Sequence, residues 1–431
     1  MVLKTCMVMR ILLLFLLVSS RSFAQIPEKV YLPQIKSPQL HLYGNQVAYP
    51  IMKLNGGDRL ELHFDDLDAN VKNYSYTFQL CNADWTPAML SQFDYIRGFS
   101  QQRISTYRVS TLAYTRYTHY QAVLPDRNCM PSRSGNYILK VFLDGDTSKL
   151  AFTKRMLVYE DKAIIAAQVQ QPFNTQIFRT HQKINFKVNT KNLGVVNPLQ
   201  QVYVAILQND RWDNAVRGIR PTFMTNNQLE YNTEDDAVFA SGKEWRWLDL
   251  RSFRLQSDRV QSAKYSTSAT EIIIRPDVSR RSYQFSFYRD VNGHYYLEPS
   301  ESINPYWQSD YATVRFSFVP PGNIPFPDKE VFLFGQFTNY GADEGALMQF
   351  NTEKGVYETA VFLKQGYYDF SYVTRDKNGR NRNFSFDDTE GNYWETENEY
   401  TILVYYRPLG GRADELVGLT KINSLTGRPG F

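Results

Sequence analysis

Apolar residues recur at every second position along most of the chain. In RLELHF, Leu60, Leu62 and Phe64 fall on one face, and Glu61 and His63 on the other. YSYTFQL alternates Tyr74, Tyr76, Phe78 and Leu80; KINFKV alternates Ile184, Phe186 and Val188; QVYVAIL alternates Val202, Val204 and Ile206. A period of two belongs to a strand with one buried face. NYILKVFLDGDTSKLAFTKRMLVYED predicts a hairpin turning at Asp144-Gly145-Asp146. SYQFSFYRDVNGHYYLEP predicts another at Asn292-Gly293, because Asn-Gly accepts the positive φ angles of a type I′ turn. A further Asn-Gly turn is expected at Asn378-Gly379. Strands follow one another without helical crossovers, so the sheets should be antiparallel. The predicted class is all-β, as consecutive antiparallel β-sandwich domains.

Composition supports that class. Aromatics make up 15% of the chain, with 30 Tyr and 28 Phe, and these residues favour pleated, half-buried surfaces. The breaks in the pattern suggest a first sandwich at 25–161, immunoglobulin- or fibronectin-like in strand count and turn spacing. A middle β domain follows at 162–309, with residues 208–262 expected as an elaborated, polar loop region. A third sandwich is expected at 310–408, and residues 409–431 as a flexible or peripheral tail.

The first residues, MVLKTCMVMRILLLFLLVSSRSFAQ, change the charge argument. Lys4 and Arg10 precede an apolar run from Ile11 to Val18 and a small-x-small site at Ser22-Phe23-Ala24. That is the pattern of a secretory signal over residues 1–24, too short to anchor in a bilayer. Without it, 45 basic residues face 44 acidic ones, so the whole-chain balance of +4 overstates the basicity and no global charge attracts nucleic acid. No later run approaches the roughly 20 apolar residues of a membrane helix. The chain ends in Phe431, as outer-membrane barrels often do, but Gly-Arg-Pro-Gly before it breaks a strand.

Chemistry is sparse. The five histidines, His41, His63, His119, His181 and His294, show no zinc-ligand spacing and read as surface or turn residues. No nucleophile elbow, P-loop or dinucleotide fingerprint is present. Calcium loops lack their acidic spacing at Asp387–Asn392. No catalytic residue, cofactor, metal or small-molecule substrate is therefore expected. After signal removal, Cys81 and Cys129 remain, and an even count in an oxidising compartment permits one disulfide. The stretch QLCNADWTPAML puts Cys81 beside Asp84 and Trp85. No histidine or cation adjoins the thiol, and Asp84 would raise its pKa, so the stretch reads as a strand end and turn. Asn82 and Asp84 suit the turn, Thr86-Pro87 suits the opening of a short helix, and Trp85 suits packing on the sandwich.

Two family resemblances add to this reading. VFLFGQFTNY and GVYETAVFLKQGYYDFSYV resemble glycogen-binding sandwich modules: Gly335, Phe337 and Gly366-Tyr367 match, and Asn339 and Tyr340 fall near the expected Asn and Trp. The sugar-stacking tryptophans are missing. The second resemblance is broader. YTFQLCNADWTPAMLSQFDYIRGF, preceded by SPQLHLYGNQVAYPIMKLNGGDRLELHFDDL and followed by SGNYILKVFLDGD, resembles the Plug proteins of the Bacteroidetes type IX secretion system. Its motif residues here are Cys81, Asn82, Asp84, Trp85, Gly98 and Phe99. The resemblance implies a non-enzymatic periplasmic component that binds the mouth of the outer-membrane translocon barrel and seals it when no substrate is engaged. A periplasmic or surface glycan-binding protein and an envelope adaptor without a sealing role are the alternatives.

Overall fold

The computed structural model describes residues 28–266, 269–378 and 383–427. The signal segment 1–24, Gly379 of the last Asn-Gly turn and Phe431 lie outside the described residues. The described chain is almost wholly β, built as three packed sandwiches.

The first sandwich follows the alternation closely. One sheet runs Lys29–Val30, Leu150–Tyr159, Gly135–Leu143, Tyr74–Cys81, Gln102–Arg103, and the facing sheet runs Ile35–Leu42, Leu60–Asp66, Thr118–Leu124, Thr106–Val109. Leu60, Leu62 and Phe64 meet Tyr76, Phe78, Leu139, Val141 and Phe152 in the core between them. The predicted hairpin forms, pairing Tyr137 with Met156, and turns through Asp144 at φ 56° and Gly145 at φ 70°.

The second core is assembled from distant pieces. One sheet holds Ile164–Gln170, His181–Asn189, Gln228–Tyr231, Phe223–Met224 and Val238–Ala240. The other runs Val216–Arg217, Val202–Gln208, Glu399–Tyr406, Glu415–Asn423. The expected tail thus contains a strand, Glu415–Asn423: Leu416 and Val417 are fully buried, and Tyr400 pairs with Ile422. Gly-Gly at 410–411 supplies only the turn between two partners. Residues 208–262 are largely irregular, as expected, but short strands interrupt them and join both neighbouring sheets. Their alternations, such as QLEY at 228–231 and RWLD at 246–249, are three or four residues long and too short to stand out as periodic.

The third core lies within a ten-stranded sheet folded over on itself. Its main order is Arg246–Asp249, Tyr367–Asp376, Lys329–Phe334, Leu347–Asn351, Val356–Lys364, Tyr311–Val319, Thr270–Ile274, Val260–Tyr265. Leu248, Ile272, Val314, Phe316 and Phe370 pack inside. The expected break at 309/310 falls between two paired strands, because Thr270–Ile274 runs parallel to Tyr311–Val319. That pair, Ile51–Lys53 beside Leu150–Tyr159, and Asp277–Val278 beside Tyr311–Val319 are parallel exceptions to the antiparallel expectation.

The hairpin expected at Asn292-Gly293 does not form. Both residues adopt positive φ, 55° and 80°, as a type I′ turn requires. The preceding segment instead ties to another element: Asp290 Oδ2 accepts the Trp245 N–H at 2.5 Å, and the Tyr288 hydroxyl donates to the Trp245 carbonyl at 2.7 Å. Tyr295–Tyr296 then pairs with Tyr368–Tyr367. Tertiary hydrogen bonds outcompete a locally favoured hairpin here.

Candidate functional site at the seams between sandwiches

The strand Tyr74–Cys81 ends in a tight reversal. The Trp85 N–H donates to the Asn82 carbonyl at 2.9 Å, and the Asn82 N–H donates to the Thr86 carbonyl at 2.8 Å. Asp84 Oδ1 accepts from the Thr86 N–H at 2.9 Å and from its hydroxyl at 2.6 Å. Pro87 pairs back against Cys81, so Thr86-Pro87 opens no helix; the next turn is a 3-10 segment at Gln92–Asp94. The reversal places Trp85 at φ 69°, a left-handed conformation costly for a bulky side chain. What the strain secures is the position of the indole.

Trp85 is buried against the second sandwich. It meets Trp212 edge-on at 4.8 Å between ring centroids, and the Arg155 guanidinium lies over both rings at 4.9 and 5.5 Å. Cys81, Ile138 and Leu157 join Ala205, Leu207, Leu403, Tyr405 and Leu416 around them in one apolar cluster. A polar rim ties the same turn to the C-terminal strands. The Ala83 N–H donates to Asp414 Oδ2 at 2.9 Å, and Arg407 bridges Asp414 at 2.7 Å and the Asn82 side chain at 2.9 Å. Asn136 donates to the Asn82 carbonyl at 3.1 Å and accepts from the Tyr405 hydroxyl at 2.8 Å. Gly135 has no room for a Cβ, which would lie 2.8 Å from Leu80 Cδ1 and 3.2 Å from the Asp414 carbonyl. Both quoted motifs, CNADW and SGNY, thus meet at one seam.

Gly98 and Phe99 lie elsewhere: Gly98 ends a strand of the small sheet that pairs Ile96–Gly98 with Cys129–Pro131, and Phe99 follows it. A Cβ on Gly98, at φ 95°, would fall 2.2 Å from the Asn128 carbonyl oxygen. Phe99 is 68% exposed, and Phe93 nearby in sequence is 86% exposed. The disulfide permitted by the cysteine count is absent: Cys81 and Cys129 are both free and buried. Cys81 belongs to the seam and Cys129 to the interior of the first sandwich. Burial pushes both thiols up to about 12, so neither is a nucleophile at neutral pH.

A second seam, between the first and third sandwiches, is polar. The outer face of Leu60–Asp66 carries Glu61, His63 and Asp65, and the third sandwich covers it. Asp65 accepts from Lys364 Nζ at 2.5 Å, from the Tyr311 hydroxyl at 2.5 Å and from His119 Nδ1 at 2.7 Å. Lys364 is fully buried and also donates to the Tyr306 carbonyl at 2.6 Å. Burial pushes the Asp65 carboxyl up, but the adjacent Lys364 ammonium and His119 outweigh it and hold it below the usual carboxylate range. His63 Nδ1 lies 3.2 Å from His119 Nε2, and the His63 ring stacks on Tyr306 at 3.8 Å. Burial, then the neighbouring His119, His41 and Lys364, depress the His63 pKa well below its ordinary value.

His41, His63, His119 and His294 are therefore interior residues, not surface ones. The sequence-level reading found the polar side of the strand but took it for the wet side. Asp65, Lys364, Tyr306 and Tyr311 were missed altogether. Their only signal was an alternating strand with three consecutive titratable residues, 61, 63 and 65, on one face.

A further buried polar cluster lies in the third sandwich. Glu390 is buried between Arg246, at 2.9 and 3.1 Å, and Arg280, at 2.6 Å. Burial pushes its carboxyl up, but the two guanidiniums prevail and bring it down to about 2. Glu244 is opposite in sense: burial, reinforced by Asp290, lifts it to about 8. The three sandwiches also enclose a cavity of about 310 Å³, bordered by Gln39, Arg155, Trp212, His294 and Tyr340. Tyr340, which the glycan reading needs exposed, packs on Phe334 at 5.6 Å beneath the Arg211 guanidinium.

Comparison with known proteins agrees with the second resemblance drawn from the motifs, that to the plug proteins. Residues 35–160 match the family described as the type 9 secretion system plug protein 1st domain. Among curated proteins none matches. The crystal structure of a hypothetical protein from Parabacteroides merdae is 30% identical, with a TM-score of 0.87, covering 92% of this chain and 98% of that one. Residues 35–160 therefore belong to the family of the type 9 secretion system plug protein 1st domain.

Proposed function

We propose that this chain binds the periplasmic opening of the type IX outer-membrane translocon barrel and seals it while no substrate is engaged. The observation that carries the reading is the plug-domain match over residues 35–160. The architecture supports it. A stopper needs bulk that does not deform, and here three sandwiches are joined through buried seams instead of flexible linkers. Phe93 and Phe99 stand exposed on the first sandwich, available as aromatic anchors for a rim that must also release. The leader-like residues 1–24 support export. No residue is assigned a catalytic role. The glycan reading is weakened, since Tyr340 is half-buried against an aromatic cluster.

The decisive experiment is co-purification with the translocon barrel, together with permeability of cells lacking this protein. The expected results are recovery of a complex and an outer membrane leaky to large molecules. A barrel that purifies without this chain in every detergent and substrate state, from cells that stay tight when it is deleted, would sink the reading.

A further inference from the structure

We propose that His41, Glu61 and His63 form a binding site for one divalent first-row transition ion of the zinc type, at the seam between the first and third sandwiches. The three are brought together by strand register. His41 on Ile35–Leu42 pairs directly with Glu61 on Leu60–Asp66, and His63 stands two residues further along the same face. Each offers one ligand atom, and these atoms lie within 4.8 Å of one another. Two imidazole nitrogens and one carboxylate oxygen match the ligand preferences of zinc and its neighbours. Tetrahedral bonds of about 2 Å put ligand atoms about 3.3 Å apart, so the widest of these spacings has to close by about 1.5 Å.

A second observation points independently to a ligand. The Nε2 atoms of both histidines are buried and have no hydrogen-bond partner among the described residues. An unpaired buried nitrogen costs about 1–3 kcal/mol unless something fills the place. The opposite ring atoms are already held: His41 Nδ1 lies 3.0 Å from the Leu42 carbonyl, and His63 Nδ1 faces His119 Nε2. His119 is fixed in turn by Asp65. A backbone carbonyl and a carboxylate–histidine relay behind the ligating rings are the supports that orient metal-binding histidines. His294, whose Nδ1 also meets a backbone carbonyl, and His181, beside Thr180, stand in no such group of ligand atoms among the described residues. Glu61 is partly exposed, which gives an ion access from solvent and supplies the negative charge. Tyr306, stacked on His63, closes the other side with a residue of the third sandwich.

All three ligands belong to the first sandwich, so an ion here would brace its outer face where the third sandwich covers it. The test uses the untagged full chain stripped with a chelator. Co²⁺ is titrated by its ligand-field absorption, Zn²⁺ by competition, and stoichiometry is read by native mass spectrometry. The expected result is one Co²⁺ per chain, displaced by Zn²⁺, with affinity lowered about tenfold or more by Glu61→Gln and by His41→Gln. Wild-type chain that binds neither ion, or binding untouched by either substitution, overturns the proposal and leaves a buried water as the occupant. If His41→Gln fails to fold by circular dichroism, Glu61→Gln decides alone, because its side chain reaches solvent and its loss leaves the core intact.

Discussion

The two seams of the first sandwich solve one problem with opposite chemistry. Against the second sandwich, Trp85, Leu157, Leu403 and Leu416 bury apolar surface, and the polar groups sit at the rim. Against the third, a carboxylate, an ammonium and histidines are taken out of water together. Apolar burial is additive and tolerant: losing one side chain leaves a cavity, and neighbours relax into it. A buried charge network stands only while each member keeps its partner, because the desolvation of the survivor is then uncompensated. The apolar seam should therefore yield by degrees, and the polar seam all at once.

The largest effect should come from the polar seam. Asp65→Ala leaves Lys364 buried without its counter-ion and should cost about 3–5 kcal/mol in urea unfolding. Adding Lys364→Met should return a good part of that loss, since the apolar replacement has nothing to desolvate. A double variant no more stable than the single one would erase the distinction between the seams.

The apolar seam should lose less. Trp85→Ala should cost about 3 kcal/mol, the low end for a buried tryptophan, because Arg155 and Trp212 can close on the space. Trp85→Gly should be no worse than Trp85→Ala, in spite of glycine's entropy, since it relieves the left-handed strain at 85, worth about 1 kcal/mol. A glycine variant clearly less stable than alanine would show that the turn stores no strain.

A smaller, pH-dependent effect sharpens the same contrast in the third sandwich. The folded-state pKa of Glu244 is raised to about 8 by burial, against 4.5 as the reference. The folded state then holds a proton that the unfolded state has released, so stability falls as pH rises through this window. Glu390, lowered to about 2, acts oppositely: its contribution is present above 4.5 and is lost as pH falls toward 2. Glu244→Gln should thus raise the urea midpoint at pH 8 and leave it nearly unchanged near pH 4. Equal shifts at both values would show that Glu244 does not titrate between them.

Much of the fold was legible because it is local. The alternation of Leu60, Leu62 and Phe64, and the turn at Asp144-Gly145, are short-range preferences that the structure keeps. The Asn292-Gly293 turn kept its φ angles but not its hairpin, since Asp290 and Tyr288 found better partners at Trp245. Residues 409–431 looked peripheral because a Gly-Gly turn and mixed polarity hide a strand whose partner was already counted elsewhere. The motif CNADW identified the family, yet its physical role, a strained turn wedging Trp85 against Trp212, needed a residue 127 positions away.

By itself, the sequence determined which residues prefer strands, which side of each strand differs from the other, and which family the motifs belong to. These follow from a period of two and from short turn and motif patterns, all local properties. Only the tertiary structure decided what lies against each side. It buried the polar face of Leu60–Asp66, kept Cys81 and Cys129 in separate cores, and paired Val204 with Val404. Contacts such as Asp65 with Lys364 join residues 299 positions apart, and no local pattern records which distant face will exclude the water.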